Sequence, residues 1–124
     1  MLPAIRARTP ASAAASSWAG RRRAPPAKKA DLAAVLYDLY NVIQDRRLNP
    51  VEGSYTNYLF EKGQDKILKK VGEEAVETII ASKNNVRKEI LYEMGDLWYH
   101  CLVLLAYHNI SPEELFAELM GRRK

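Results

Sequence analysis

Two short acidic motifs stand out in this sequence of 124 residues. The stretch VGEEAVETII carries Glu73, Glu74 and Glu77, and the stretch EMGD carries Glu93 and Asp96. Crowded carboxylates repel one another and lose hydration when they are buried, which costs several kcal/mol per ion unless a positive charge is present. The motifs therefore call for a cation, which is supplied either by nearby lysines or by a metal ion.

Helical spacing places the acids of each motif on one side of a helix. At about 100° per residue, the three glutamates of the first motif form a stripe beside an apolar face that contains Ile67 and Val71, and Lys66 and Lys70 lie on the same stripe. The second segment is apolar around almost its whole circumference, which is typical of a central helix. Its single polar strip consists of Glu89, Glu93, Asp96 and His100.

Carboxylates presented from two facing helices suit a hard divalent cation. Mg²⁺ takes oxygen ligands in an octahedron and keeps positions for water and substrate phosphates. A ferritin-like di-iron bundle is a competing interpretation, but it needs Glu-x-x-His, and here His100 lies four residues after Asp96 and seven after Glu93. The spacing therefore favours Mg²⁺ over iron, and a solvated acidic face is the simplest alternative.

The elements that must position these motifs are helices. Apolar residues recur at helical spacing, and no stretch alternates with the period of a strand, so the fold class is predicted to be all-α. The predicted segments are an amphipathic helix after the N-cap Asp31 that ends before Asn49-Pro50, a short helix around residues 54–63, long helices from about Gln64 to Ser82 and from about Val86 to His108, and a last helix that starts at a capping box of Ser111 and Glu114.

The net charge of +4 arises in the first 30 residues, which hold seven basic residues and no acid, whereas the remainder holds 12 basic and 15 acidic residues. We expect residues 1–30 to be a disordered leader rich in Ala, Ser, Pro and Arg, with organelle targeting as a less favoured interpretation, and residues 31–121 to form one domain. The only cysteine excludes a disulfide framework. We expect a cytoplasmic protein without nucleic-acid or membrane partners.

At this point the chain resembles a known family. The segments GQDKILKKVGEEAVETIIASKN and EILYEMGDLWYHCLVLLAYHNISPEEL look like the phosphoribosyl-ATP pyrophosphohydrolases, which belong to the MazG-type nucleotide pyrophosphohydrolases. The segment GSYTNYLFEKG resembles the region that this family carries before its signature, and the resemblance covers about residues 32–119. The signature EExxE…ExxD appears here as Glu73, Glu74, Glu77, Glu93 and Asp96.

The resemblance implies a MazG-like bundle of four to five helices per chain that is completed by homodimerisation. It also implies hydrolysis of phosphoribosyl-ATP between its α and β phosphates, which gives phosphoribosyl-AMP and pyrophosphate in the second step of histidine biosynthesis. The implied residues are Glu74, Glu77, Glu93 and Asp96 as Mg²⁺ ligands, Glu73 as the remaining catalytic carboxylate, and Lys66, Lys69 and Lys70 for the substrate phosphates.

Two other functions stay open at the level of sequence. One is a housekeeping MazG-type hydrolase of stray nucleoside triphosphates, because the acidic signature is shared with that group. The other is a non-catalytic helical dimer whose acids only bind cations. The SYTNYL segment and the short chain favour the histidine-pathway enzyme. That family often occurs fused behind a cyclohydrolase domain, and residues 1–30 lack the cysteines and histidines that such a domain needs.

Overall fold

The computed structural model describes residues 34–123, and these residues contain no strand. The predicted all-α class is therefore confirmed. The predicted leader and the predicted N-cap Asp31 lie outside the described residues. The helices are α1 (Ala34–Leu48), α2 (Tyr55–Lys62), α3 (Gln64–Asn84), α4 (Arg87–Tyr107) and α5 (Pro112–Gly121).

Local signals in the sequence account for the helix ends. The Ser54 hydroxyl accepts a hydrogen bond from the backbone N–H of Asn57 at 3.2 Å and caps α2. Gly63 ends α2 with φ of +95°, a backbone conformation that residues with a Cβ rarely adopt. Asn85 is left-handed and ends α3 two residues later than predicted, while Ser111 starts α5 with the predicted capping box.

Helices α3 and α4 form an antiparallel hairpin because only residues 85 and 86 separate them. Helix α1 packs on α4, α2 contacts both α1 and α3, and α5 returns to α1. One buried cluster joins α1, α2, the beginning of α3 and the end of α4. Its members are Tyr40, Ile43, Tyr55, Leu59, Ile67, Tyr99, Leu102, Val103 and Ala106.

The other end of the hairpin carries apolar residues on its outside. We call this the outer face, and it consists of Val76, Ile79 and Ile80 on α3 and Leu91, Met94 and Trp98 on α4, all of which are exposed. Helix α4 is therefore not covered all round by the described chain, although it packs on both α3 and α1. None of the helices between residues 34 and 123 has the length and apolarity of a membrane span.

Candidate metal and active site

Three predicted site carboxylates meet between α3 and α4. Glu74 and Glu77 are three residues apart on α3 and share a face, and the antiparallel hairpin brings Glu93 of α4 opposite them. Each of the three offers one carboxylate oxygen, and these oxygens all lie within 4.8 Å of one another. Glu74 and Glu77 are buried and Glu93 is half-buried, so the acidic face of α3 points into the hairpin rather than toward solvent.

The other two signature acids lie on either side of this group. Asp96 is buried on α4, one turn after Glu93, and its negative charge acts on Glu74. Glu73 is half-buried and pairs with Lys70, with 3.4 Å between Nζ and Oε1, so it lies outside the group of three. The structure thus places Asp96 beside the group and Glu73 at its border with the lysines.

The neighbouring carboxylates repel the negative charge of Glu74. Burial raises the pKa of its carboxyl to about 7, and the negative charges of Asp96 and Glu77 act in the same direction. The Lys70 ammonium, 3.6 Å from Oε2 of Glu74, opposes this rise, but Lys70 is shared with Glu73. Apart from a contact with the Glu93 carboxyl, which also opposes the rise, neither carboxylate oxygen of Glu74 accepts a hydrogen bond from an N–H or O–H group of residues 34–123. The site is therefore poor at stabilising its own charges.

The donor set fits a hard divalent cation. Carboxylate oxygens are the ligands that Mg²⁺ and Ca²⁺ prefer, and a buried carboxyl whose pKa is raised, as at Glu74, gains most from an added positive charge. Both ring nitrogens of His100 are occupied by hydrogen bonds, so His100 is a hydrogen-bonded core residue rather than a ligand. The geometry thus supports an all-oxygen metal centre at Glu74, Glu77 and Glu93.

A buried hydrogen bond between His100 and Tyr55 links α4 to α2. Nδ1–H of His100 donates to the backbone carbonyl of Asp96 at 2.7 Å, and therefore Nε2 accepts from the Tyr55 hydroxyl at 2.9 Å. Burial lowers the pKa of His100 to about 4, which keeps the ring neutral, and burial raises the pKa of Tyr55. No pattern in the sequence identifies Tyr55 as a partner of His100, because no periodicity relates two residues that lie 45 positions apart.

The predicted substrate-binding lysines lie on the neighbouring surface of α3. Lys66, Lys69 and Lys70 line a cavity of about 1110 Å³ between α3, α2 and the loop before α2. Lys70 is buried and contacts the acidic group, whereas Lys69 is exposed. The cavity and the carboxylates therefore meet at Lys70.

The chain is similar to one family model and to several known proteins. A family model described as phosphoribosyl-ATP pyrophosphohydrolase matches residues 36–123. The phosphoribosyl-ATP pyrophosphatase of Clostridium acetobutylicum is 59% identical over 90 residues, which cover 73% of this chain and 82% of that protein. The phosphoribosyl-ATP pyrophosphatase of Pelotomaculum thermopropionicum is 57% identical over 90 residues, which cover 73% of this chain and 92% of that protein.

A longer relative shows the same similarity over part of its length. The histidine biosynthesis bifunctional protein of Caldanaerobacter subterraneus is 60% identical over 90 residues, which cover 73% of this chain. The chain spans 44% of the length of that bifunctional protein. The similarity therefore concerns one part of the bifunctional protein and most of the two pyrophosphatases.

Proposed function

The chain belongs to the phosphoribosyl-ATP pyrophosphohydrolase family, as predicted from its sequence, and from this premise we propose that it hydrolyses phosphoribosyl-ATP. The reaction cleaves the bond between the α and β phosphates and releases phosphoribosyl-AMP and pyrophosphate, in the pathway to histidine. The observation that carries the proposal is the convergence of Glu74, Glu77 and Glu93 beside a cavity lined by lysines. A triphosphate needs this combination of a cation site and positive side chains.

The proposed cofactor is Mg²⁺, held by Glu74, Glu77, Glu93 and Asp96. When bound, this ion neutralises charge on the phosphates and lowers the pKa of a coordinated water molecule. Lys70 lies 3.6 Å from Glu74, which is the position from which an ammonium can contact a phosphate that approaches the acids. Glu73, which pairs with Lys70, holds that ammonium at the border of the cavity.

Two uncharged residues, His100 and Tyr55, position the backbone that carries Asp96. The neutral ring of His100 fixes the backbone of Asp96, and the Tyr55 hydroxyl fixes the ring. Because these groups are uncharged and buried, they orient the acidic helix without adding to the repulsion among the carboxylates. We propose that Tyr55 and His100 are positioning residues for the carboxylates of α4.

We further propose that the active form is a homodimer in which a second copy covers the outer face. Six large apolar side chains on one surface are more than a solvated helix pair normally exposes together, and Trp98 is 52% exposed. A second chain buries such a surface in a two-fold symmetric contact. The cytoplasmic location and the domain boundary at residue 31 stay predictions.

The experiment that tests the proposed function compares substrates. The purified protein is incubated with Mg²⁺ and phosphoribosyl-ATP, ATP or other nucleoside triphosphates, and the released pyrophosphate is measured. We expect release of pyrophosphate from phosphoribosyl-ATP and loss of activity when a chelator is added. Equal hydrolysis of all triphosphates would instead indicate a housekeeping hydrolase, and no hydrolysis of any of them would indicate a cation-binding helical protein.

A further inference from the structure

The cavity beside the acidic group is large for a small-molecule site. Its volume of about 1110 Å³ lies above the usual range of roughly 300–1,000 Å³ for small-molecule sites. It extends from Glu73 and Lys70 past Lys66 to Tyr58 and the loop around Glu52. A ligand whose reacting phosphates lie at the carboxylates therefore has room to extend toward α2.

The wall formed by α2 and its preceding loop is held in place by Asn57. The Asn57 side-chain amide donates to the backbone carbonyl of Arg46, and its oxygen accepts from the backbone N–H of Val51 at 2.6 Å. Its own backbone N–H is bound by Ser54. These three bonds join the loop to α1 and α2, so contacts within the chain hold this wall of the cavity in place.

Four cationic side chains line the cavity, and one of them, Arg47, donates hydrogen bonds to the Ala106 carbonyl and the Asn109 side-chain oxygen. The three lysines fall into two groups. Lys70 is buried and paired with Glu73 and Glu74. Lys66 and Lys69 form no ion pair within residues 34–123, and Nζ of Lys66 lies 5.6 Å from the centroid of the Tyr58 ring. These two ammonium groups are thus available for an anion, whereas Lys70 is already engaged at the acids.

Lys66 and Lys69 are separated from the acidic group along α3. They precede Glu77 by eleven and eight positions, which is about 16 and 12 Å along the helix axis. Phosphoribosyl-ATP carries phosphates at both ends, namely a triphosphate on one ribose and a single phosphate on the second ribose, with the purine between them. ATP and other ordinary triphosphates lack the second phosphate. A site that selects phosphoribosyl-ATP therefore needs a second anion-binding region, at a distance from the metal.

Resting on the proposed function, we propose that Lys66 and Lys69 bind the phosphate of the second ribose and thereby select phosphoribosyl-ATP over ATP. The triphosphate end lies at the carboxylates and Lys70, and the substrate spans the cavity between them. The exposed position of Lys69 and the contact of Lys66 with Tyr58 place both ammonium groups on the wall of the cavity. Specificity and chemistry are thus carried by different lysines of one helix.

The two products provide separate probes of the two ends of the site. Phosphoribosyl-AMP contains the second ribose phosphate, whereas pyrophosphate reports only on the end where cleavage occurs. Inhibition constants of both are measured, with the KM and kcat for phosphoribosyl-ATP, in the wild type and in a Lys66→Met, Lys69→Met double variant. A Lys66→Arg, Lys69→Arg variant retains both charges. Lys83→Met, an exposed lysine of α3 that does not line the cavity, is the matched control.

The Met variant is expected to raise the KM and the inhibition constant of phosphoribosyl-AMP at least about tenfold, the effect of losing charge-assisted bonds to a phosphate. Its kcat and its inhibition by pyrophosphate should stay within about twofold of the wild type. The Arg variant should recover most of the affinity, and Lys83→Met should behave as the wild type.

An equal weakening of pyrophosphate inhibition would overturn the proposal, because it would place the two lysines at the triphosphate end. Unchanged affinity for phosphoribosyl-AMP would overturn it as well. A wild-type protein that fails to hydrolyse phosphoribosyl-ATP would instead refute the proposed function. The two failures are therefore distinguishable, because the second is seen before any variant is made.

Discussion

The two ends of the α3–α4 hairpin have opposite arrangements of polar and apolar side chains. At the end where α3 begins, Ile67, Leu102 and Val103 are buried in the main cluster. At the other end the interior holds carboxylates, while Val76 and Trp98 are exposed on the outside. The same two helices thus form an ordinary core at one end and an inverted arrangement at the other.

The difference teaches what each end requires for stability. Burial of apolar side chains contributes about 25 cal/mol per Å², so the first end is stabilised by its own chain. The second end combines buried carboxylates, which oppose folding of an isolated chain, with exposed apolar surface, which contributes nothing to its stability. It becomes favourable when a cation lies inside and a second apolar surface lies outside. The proposed Mg²⁺ would therefore neutralise the buried carboxylates, and the proposed dimer would cover the exposed apolar side chains.

The largest expected effect comes from placing a charge in the apolar end. Val103→Asp should destabilise the protein by at least about 3 kcal/mol, because an unpaired carboxylate would replace a fully buried methyl pair. Thermal unfolding followed by circular dichroism measures the change. Leu119→Asp, which alters an exposed apolar residue of α5, should change stability by less than about 0.5 kcal/mol. Comparable melting of the two variants would contradict the assignment of Val103 to a core that stabilises the fold.

The next effect concerns the outer face. Trp98→Lys should weaken dimerisation by at least about 2 kcal/mol, roughly 30-fold in dissociation constant, because large aromatic residues dominate protein interfaces. Light scattering after size-exclusion chromatography, over a range of concentrations, measures the change. Leu119→Lys, which lies away from the outer face, is the control. A monomeric wild type at high concentration, or an unchanged dimer in Trp98→Lys, would show that another surface or no partner covers Trp98.

Much of the fold could be predicted from the sequence because its signals are local. Asn49-Pro50, Ser54, Gly63 and Ser111 each act on the helix that begins or ends beside them, and the structure follows them closely. The end of α3 lies two residues beyond the predicted Ser82, because the left-handed residue that ends the helix is Asn85. Family membership was predicted correctly from the acidic signature, since that pattern is also contiguous within each segment.

The contacts between segments could not be predicted in the same way. Helical spacing placed Glu73, Glu74 and Glu77 on one stripe, but it did not reveal that Glu73 turns to Lys70 while the other two face Glu93. That separation depends on how α3 is rotated against α4. The Tyr55–His100 hydrogen bond likewise depends on the docking of α2, which no local pattern encodes. The roles of the carboxylates in binding and catalysis stay predictions.

A smaller energetic effect is expected from replacing single carboxylates at the second end of the hairpin, which we call the acidic end. Glu77→Gln and Asp96→Asn should each reduce turnover of phosphoribosyl-ATP at least about tenfold, the equivalent of roughly 1.4 kcal/mol of lost transition-state stabilisation. Both variants should keep the wild-type circular dichroism spectrum, because removing a charge from a self-repelling group does not harm the fold. Glu118→Gln, at an exposed residue of α5, is the control. Full activity in both site variants would refute the proposed metal ligands.

The smallest expected effect is that of Glu74→Gln on the stability of the folded protein. It is the most specific to the acidic end, because the sign of the stability change reverses when a cation is added. The pKa of Glu74 is raised in the folded protein from 4.5 to about 7, so its unfavourable contribution is absent below pH 4.5 and complete above pH 7. At pH 8, Glu74→Gln should therefore stabilise the metal-free protein by about 1 kcal/mol, which corresponds to about 4–8 °C in Tm for a domain of this size. At pH 5 the gain should be smaller.

Adding Mg²⁺ should reverse this order. A ligand that binds only the folded state stabilises it by about 2.7 kcal/mol when its concentration is a hundredfold above Kd. The wild type should gain this stabilisation, whereas Glu74→Gln, which has lost one of the proposed ligands, should gain much less and melt below the Mg²⁺-loaded wild type. Scanning calorimetry of both proteins at pH 8, with Mg²⁺ and with a chelator, gives the four Tm values.

If Glu74→Gln melts lower than the wild type under both conditions, Glu74 stabilises the fold directly, and its burial is not explained by a cation site. If Mg²⁺ raises both Tm values equally, the ion binds elsewhere.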